Sequence, residues 1–195
     1  MRNQALQEFL DAAKLAYSFR ARDLNSVSLV ERVFATLEAP APQSTSDSGR
    51  LPVCQYLTDI AESSASDESD LRQVMKTFLR IEPLLRWRRR QGDWSGASEG
   101  FAEKHANAMI VGPGGLEPRE DIGLGVSLLG PNVRYPDHRH PPEETYLVMS
   151  AGDFRQGQLD WVHLAGGETF YNPHNIVHAM RSSDLPLLAF WALKE

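Results

Sequence analysis

Residues 135 to 152 read YPDHRHPPEETYLVMSAG, a short stretch dense in groups able to bind a cation or move a proton. His138 and His140 lie two residues apart, so on an extended strand both point to the same face. After the Pro141-Pro142 turn, Glu144 and Tyr146 again share a face. Neutral imidazole and carboxylate together suit a divalent first-row metal: zinc, iron, manganese or cobalt. Packing alone explains the group poorly, because each polar side chain, once buried, would need its own partner. One more histidine would close the set. His163 sits in DWVHLAGG, His174 in a Pro-Asn turn, and His178 in the strand-like run after the turn. Position on a strand entering the same region favours His178.

These donors must be held by a scaffold, and the chain offers two kinds of element. In the first half the apolar residues recur at helical spacing. Leu6, Phe9, Leu10, Ala13 and Tyr17 share one face, as do Val30, Val33, Phe34 and Leu37, with Ser28 and Glu31 in a capping-box pattern. APAPQSTSDSG (39–49) reads as a loop. Val53, Leu57, Ile60 and Ala61 suggest a third helix; Leu71, Val74, Met75, Phe78 and Leu79 suggest a fourth, stopped near Pro83. From about residue 107 the period changes to two. DIGLGVSLLG places Ile122, Leu124, Val126 and Leu128 on one face, and TYLVMSAG, LDWVHLAGG, NIVHAMRS and LPLLAFWALKE come after it as short β-prone runs. Short strands at near-regular spacing, with no helical pattern between them, predict a small barrel or sandwich. The expected organisation is a helical segment over 1–106 packed on a β domain over 107–195, with no internal repeat.

Composition narrows the partners. With 20 basic and 26 acidic residues the net charge is −6, which argues against a surface that tracks phosphates. The cluster Arg86-Trp87-Arg88-Arg89-Arg90 runs against that balance and reads as a solvated face. A single cysteine, Cys54, excludes an internal disulfide framework and fits a reducing cytoplasm. Glu8, Asp11 and Lys14 interrupt the N-terminal apolar residues, and no later stretch reaches the length of a membrane span. The expectation is a soluble cytoplasmic protein, monomer or homodimer, without nucleic-acid or membrane partners.

Two segments carry a family resemblance. GPNVRYPDHRHPPEETYLVMSAG resembles the first cupin motif: Gly130, then His-x-His, three residues, Glu, and a closing Gly152. GGETFYNPHNIVHAM resembles the second, with Gly167, Pro173 and His178 in order. Asn175 stands where Gly is usual, and both tolerate a left-handed turn; Ser182 stands where Asn is usual. The resemblance spans about residues 107 to 195 and implies a mainly β chain with an α-helical N-terminal segment and a single cupin double-stranded β-helix, or jelly-roll, barrel. It implies a metal held by His138, His140, Glu144 and His178.

A narrower pattern is Tyr135-x2-His138-x-His140-x3-Glu144-x-Tyr146 and then His178, which is similar to the cupin-type dimethylsulfoniopropionate lyases. That resemblance implies cleavage of a sulfonium zwitterion to dimethyl sulfide and acrylate. Elimination needs a base, and a phenol with an ordinary pKa near 10 is mostly protonated at neutral pH. A phenol beside a cation is shifted downward. Tyr146 is the expected base, a metal ligand, or both; Tyr135 is a second candidate for proton transfer or positioning. The sulfonium asks for aromatic faces, and Trp161, Phe170, Tyr171, Phe190 and Trp191 are available. A cupin dioxygenase, an isomerase, or a non-catalytic ligand-sensing cupin are the alternatives; neither enzymatic rival calls for the two tyrosines.

Overall fold

The computed structural model describes residues 2–44, 47–64 and 69–194. Thr45 and Ser46 of the expected loop lie outside the described residues. The chain begins with α1 (Gln4–Arg20) and α2 (Leu24–Leu37), then α3 (Tyr56–Ser64) and α4 (Ser69–Ile81), with a single turn α5 (Phe101–Lys104) before the sheets. The helical stripes are those the spacing predicts: Leu6, Phe9, Leu10, Ala13 and Tyr17 are buried on α1, and Val30, Val33, Phe34 and Leu37 on α2. One start differs from the sequence reading. Asp23 caps α2, its carboxylate accepting from the N–H groups of Asn25 and Ser26 at 2.9 and 3.1 Å, so Ser28 lies inside the helix. A carboxylate one turn upstream satisfies the orphan amides and pre-empts the later serine.

Eight strands complete the chain: β1 (His105–Val111), β2 (Gly123–Leu129), β3 (Glu143–Val148), β4 (Gly152–Gln156), β5 (Val162–Leu164), β6 (Thr169–Asn172), β7 (His178–Arg181) and β8 (Leu187–Lys194). They form a five-stranded sheet in the order β1-β2-β8-β3-β6 and a three-stranded sheet in the order β5-β4-β7. Every pairing between strands is antiparallel. The arrangement is a jelly-roll barrel with helices laid on the outside of the larger sheet.

Both faces of that sheet are buried, and alternation sorts them. Leu124, Val126 and Leu128 of β2, Leu147 of β3, and Leu188, Phe190 and Ala192 of β8 join the helices in one apolar core. Phe9 of α1, Phe78 of α4 and Phe190 of β8 meet there with ring centroids 5.0 to 6.0 Å apart. Such rings bury large apolar area and add edge contacts. The alternate residues face the barrel interior: Leu129, Tyr146, Val148, Leu187 and Ala189 belong to a second cluster with Tyr135, Phe154 and Met180. β2 therefore has no solvent face, which is why all seven of its residues are buried. At Gly125 any Cβ would collide with the Trp191 ring, so glycine there lets the indole cross the interior.

Candidate metal centre

The site is assembled where the smaller sheet gains an extra, irregular strand. Residues 133–138 run antiparallel to β7: Tyr135 N–H donates to Met180 O at 2.9 Å, and His138 and His178 exchange backbone hydrogen bonds of 3.0 and 2.9 Å. Arg134 pairs with Arg181 and His138 with His178, so the first strand takes four steps where its partner takes three. The extra residue is a bulge between Tyr135 and His138, where Pro136 has no N–H to give the ladder. A one-residue slip reverses the facing of every later residue on the strand. Hence Tyr135 and His138, out of phase in the sequence, both line the interior. Glu144 and Tyr146 reach the same space from β3 by plain alternation. His138 and His140 thus sit on this extended segment outside the regular strands, and the donors do not share one hairpin.

His138, His140 and His178 present nitrogen atoms that all lie within 4.8 Å of one another. Each ring is held from behind: the Nδ1 atoms lie 3.0 Å from the carbonyl oxygens of Pro136, Pro142 and Ile176 respectively. A carbonyl can only accept, so each Nδ1 carries a hydrogen, and in the neutral ring each Nε2 is a lone pair facing the shared space. Glu144 joins them from 3.1 Å (His178 Nε2) and 3.5 Å (His140 Nε2), both to its Oε2, which also accepts from Asn172 Nδ2 at 2.9 Å. Although Nε2 of His178 is this close to a carboxylate, it is buried and makes no aligned hydrogen bond. Lone pairs facing a carboxylate at that range repel one another unless a cation lies among them. The residues therefore fit a divalent metal, with three imidazoles and one carboxylate as donors.

His105 shows the contrast. It is fully buried, as His178 nearly is, yet its Nδ1 donates to Phe101 O and its Nε2 accepts from Arg90 N–H at 2.8 Å. Both nitrogens are satisfied, and it serves packing. His163 and His174 are exposed, against Asp153 and Asn175. Asn175 adopts φ 57°, the left-handed turn expected where the motif usually has glycine. Ser182 donates to Gly130 O at 2.6 Å and accepts from Val133 N–H at 3.0 Å, pinning the strand that enters the site.

The electrostatics arise from burial and from Glu144. Burial, with the His178 ring beside it, pushes His138 down to about 3. Burial lowers His140 as well, but Glu144 outweighs it and the net direction is up. For Glu144 burial acts upward, and the His140 and His178 rings overcome it, keeping the carboxyl ionised. Burial, then the Glu144 charge, pushes Tyr146 well above the ordinary phenol value. Burial raises Tyr135 also, opposed by Arg90 and by Asn107, whose Nδ2 donates to the phenol oxygen at 2.8 Å.

A cavity of about 190 Å³ opens on the donors, lined by His138, His140, Glu144, Tyr135 and Tyr146 together with Arg90, Asn107 and Trp191. Of the five aromatics available in the sequence, Trp191 reaches this cavity, its Nε1 donating to Ser127 Oγ at 3.1 Å. Phe190 is locked in the helix-side core, Phe170 packs on Phe154, Tyr171 donates to Glu143, and Trp161 lies among arginine side chains. Arg90 and Asn107 carry no signal in the sequence, the first hidden in a run of arginines and the second in an apolar strand.

The fold and site define a cupin-type barrel with a donor set suited to a divalent metal. The family model for dimethylsulfoniopropionate lyases matches residues 25–189, and the chain belongs to that family. It is 26% identical over 118 residues to dimethylsulfoniopropionate lyase DddQ of Ruegeria pomeroyi, covering 60% of this chain. It is 27% identical over 144 residues to the putative dimethylsulfoniopropionate lyase DddL of Cereibacter sphaeroides, covering 71% of this chain. Each match spans 58% of the relative's own length. The crystal structure of DddQ from Ruegeria pomeroyi superposes with a TM-score of 0.72 at 19% identity, covering 100% of this chain and 93% of that one. A chain from the crystal structures of the lyases RdDddP and RnDddQII gives 0.72 at 23% identity, covering 98% and 92%. These two likenesses establish the fold, including the helical segment. Among the described residues no helix is long and apolar enough to cross a membrane.

Proposed function

We propose that the protein is a metal-dependent carbon–sulfur lyase that cleaves dimethylsulfoniopropionate to dimethyl sulfide and acrylate by β-elimination. What carries the reading is that Tyr146 shares one cavity with His138, His140 and Glu144, while His178 Nε2 converges on the same point. His138, His140, Glu144 and His178 would hold the metal, with Tyr146 as a further ligand, a base, or both. When bound, the cation supplies charge that draws electrons from the substrate carboxylate and favours phenolate at Tyr146, against burial and Glu144.

Tyr146 takes the proton from the carbon next to the carboxylate. The electron pair left behind becomes the carbon–carbon double bond, the bond from the β carbon to sulfur breaks, and neutral dimethyl sulfide departs. Tyr135 positions substrate or relays the proton. The Trp191 ring face holds the sulfonium, which has no strong hydrogen-bond donors to satisfy. Residues 107–195 act as the working barrel and the helical segment over 1–106 as its cover, except that Arg90 reaches into the cavity. We place the chain in the cytoplasm, where the buried thiol of Cys54 stays reduced.

The test supplies purified protein with Mn²⁺, Fe²⁺, Co²⁺ or Zn²⁺ in turn, adds dimethylsulfoniopropionate, and measures headspace dimethyl sulfide under air and under argon. The lyase reading expects gas under both atmospheres with at least one metal. No gas with any metal overturns it, and gas only under air points to oxygenase chemistry.

A further inference from the structure

The cavity wall holds a charge that the elimination scheme leaves unused. Arg86, Arg88 and Arg89 are exposed, as a solvated basic run should be, but Trp87 is buried, donating to Glu82 Oε1 at 2.8 Å, and Arg90 turns inward. Pairing explains the turn. Arg88 and Asn107 exchange backbone hydrogen bonds of 2.8 and 2.9 Å along the edge of β1, and two residues on, Arg90 N–H is held by His105 Nε2. The guanidinium carbon lies 5.6 Å from the centroid of the Tyr135 ring, whose other neighbours include the His138 ring at 5.0 Å.

Among the described residues Arg90 forms no ion pair: its guanidinium faces the uncharged phenol of Tyr135, and its Nε is buried without a hydrogen-bond partner. Asn107 Oδ1, in the same cavity, is likewise buried and unpartnered. Arg90 is half-buried, but a guanidinium nitrogen buried without a partner is costly, and the cost is removed when an anion arrives. A planar guanidinium with parallel N–H donors matches a carboxylate in particular.

We infer that Arg90 is a substrate-binding residue that grips the carboxylate of the bound molecule, with Asn107 setting the adjoining wall. This rests on the lyase reading for the identity of the substrate. A zwitterion entering the cavity is then oriented by its two charges: the sulfonium is repelled by Arg90 and drawn to the Trp191 ring, while the carboxylate meets the guanidinium. The orientation presents the carbon beside the carboxylate to the tyrosines, which is where a proton must leave.

The experiment uses the full chain loaded with Zn²⁺, in wild-type, Arg90→Met and Arg90→Lys forms, and titrates propionate and propionamide by calorimetry. Melting curves confirm folding; the backbone bond to His105 does not depend on the side chain. Propionate affinity is expected to fall about 10–100-fold in Arg90→Met, with partial recovery in Arg90→Lys, because a charged hydrogen bond is lost and then poorly replaced. Propionamide affinity should be unchanged in both. In turnover assays KM for dimethylsulfoniopropionate should rise by a similar factor, and kcat should change less. Equal propionate affinity in wild type and Arg90→Lys, or Arg90→Met where it folds, overturns the assignment. If wild type releases no dimethyl sulfide yet binds propionate through Arg90, the lyase reading fails and the carboxylate site stands.

Discussion

The five-stranded sheet has two faces built from alternate residues of the same strands, and they do opposite things. Toward the helices, β8 presents Leu188, Phe190 and Ala192 to a mainly apolar core whose few buried polar groups, such as Ser26 and Thr145, bond one another. Toward the interior the same strand presents Leu187, Ala189 and Trp191, and β3 adds Glu144 and Tyr146. The helix side is dry and satisfied by shape. The interior keeps the unpartnered Nε2 of His178, the buried Glu144 carboxylate and the unpartnered Nε of Arg90. Packing on one face supplies the stability that lets the other hold groups in costly arrangements. The helices α1 and α2 thus support the site from behind the larger sheet.

Substitutions can test how separate the faces are. The largest effect is expected from Tyr146→Phe, which keeps the ring and removes the proposed base: turnover should fall ~10²–10⁴-fold with little change in Tm. Full activity would remove Tyr146 from its role. On the opposite face, Phe78→Ala should cost about 3–5 kcal/mol of stability, measured by denaturant unfolding, while the folded fraction keeps wild-type metal affinity. Loss of metal binding at unchanged stability would erase the distinction between the faces.

Asn172→Ala removes the donor behind Glu144 and should weaken metal binding by about 10–100-fold, read by competition with a chelating dye. Unchanged affinity would show that Glu144 needs no support or is not a ligand. The smallest effect concerns acid and the metal-free protein. His138 falls from an ordinary 6.5 to about 3 on folding, so between those values the unfolded chain takes a proton that the folded chain refuses. The His138 contribution is thus fully present above pH 6.5 and is lost as pH drops toward 3, whereas His140, raised on folding, acts in the opposite sense. Glu144, lowered on folding, adds a further loss below its ordinary 4.5. A Tm that stays flat from pH 7 to pH 4 in a His140→Gln form would contradict the burial of a neutral His138.

Much of this is legible because period and composition are local properties. Phe9, Val33 and Phe78 announce helix faces by spacing, and the change to a period of two marks where the sheets begin. His138, His140, Glu144 and Tyr146 can be grouped because they fall within nine residues. His178 can be added only through its place in a strand-like run and its match to a motif. Spacing alone misplaces the cap of α2 at Ser28, because its capping-box spacing to Glu31 is a local pattern, whereas the helix starts a turn earlier, behind Asp23.

The sequence by itself determined the donor types, their order, and the two classes of element that carry them, since these depend on neighbours along the chain. Pro136 signals in the sequence that alternation can break, and tertiary structure decided that Tyr135 and His138 do share an interior, because a one-residue bulge between them resets the facing. It chose Trp191 from five aromatics and turned Arg90 inward from a run of look-alike arginines. Those choices depend on which strand lies alongside and what a side chain meets there, and no spacing within one segment encodes either.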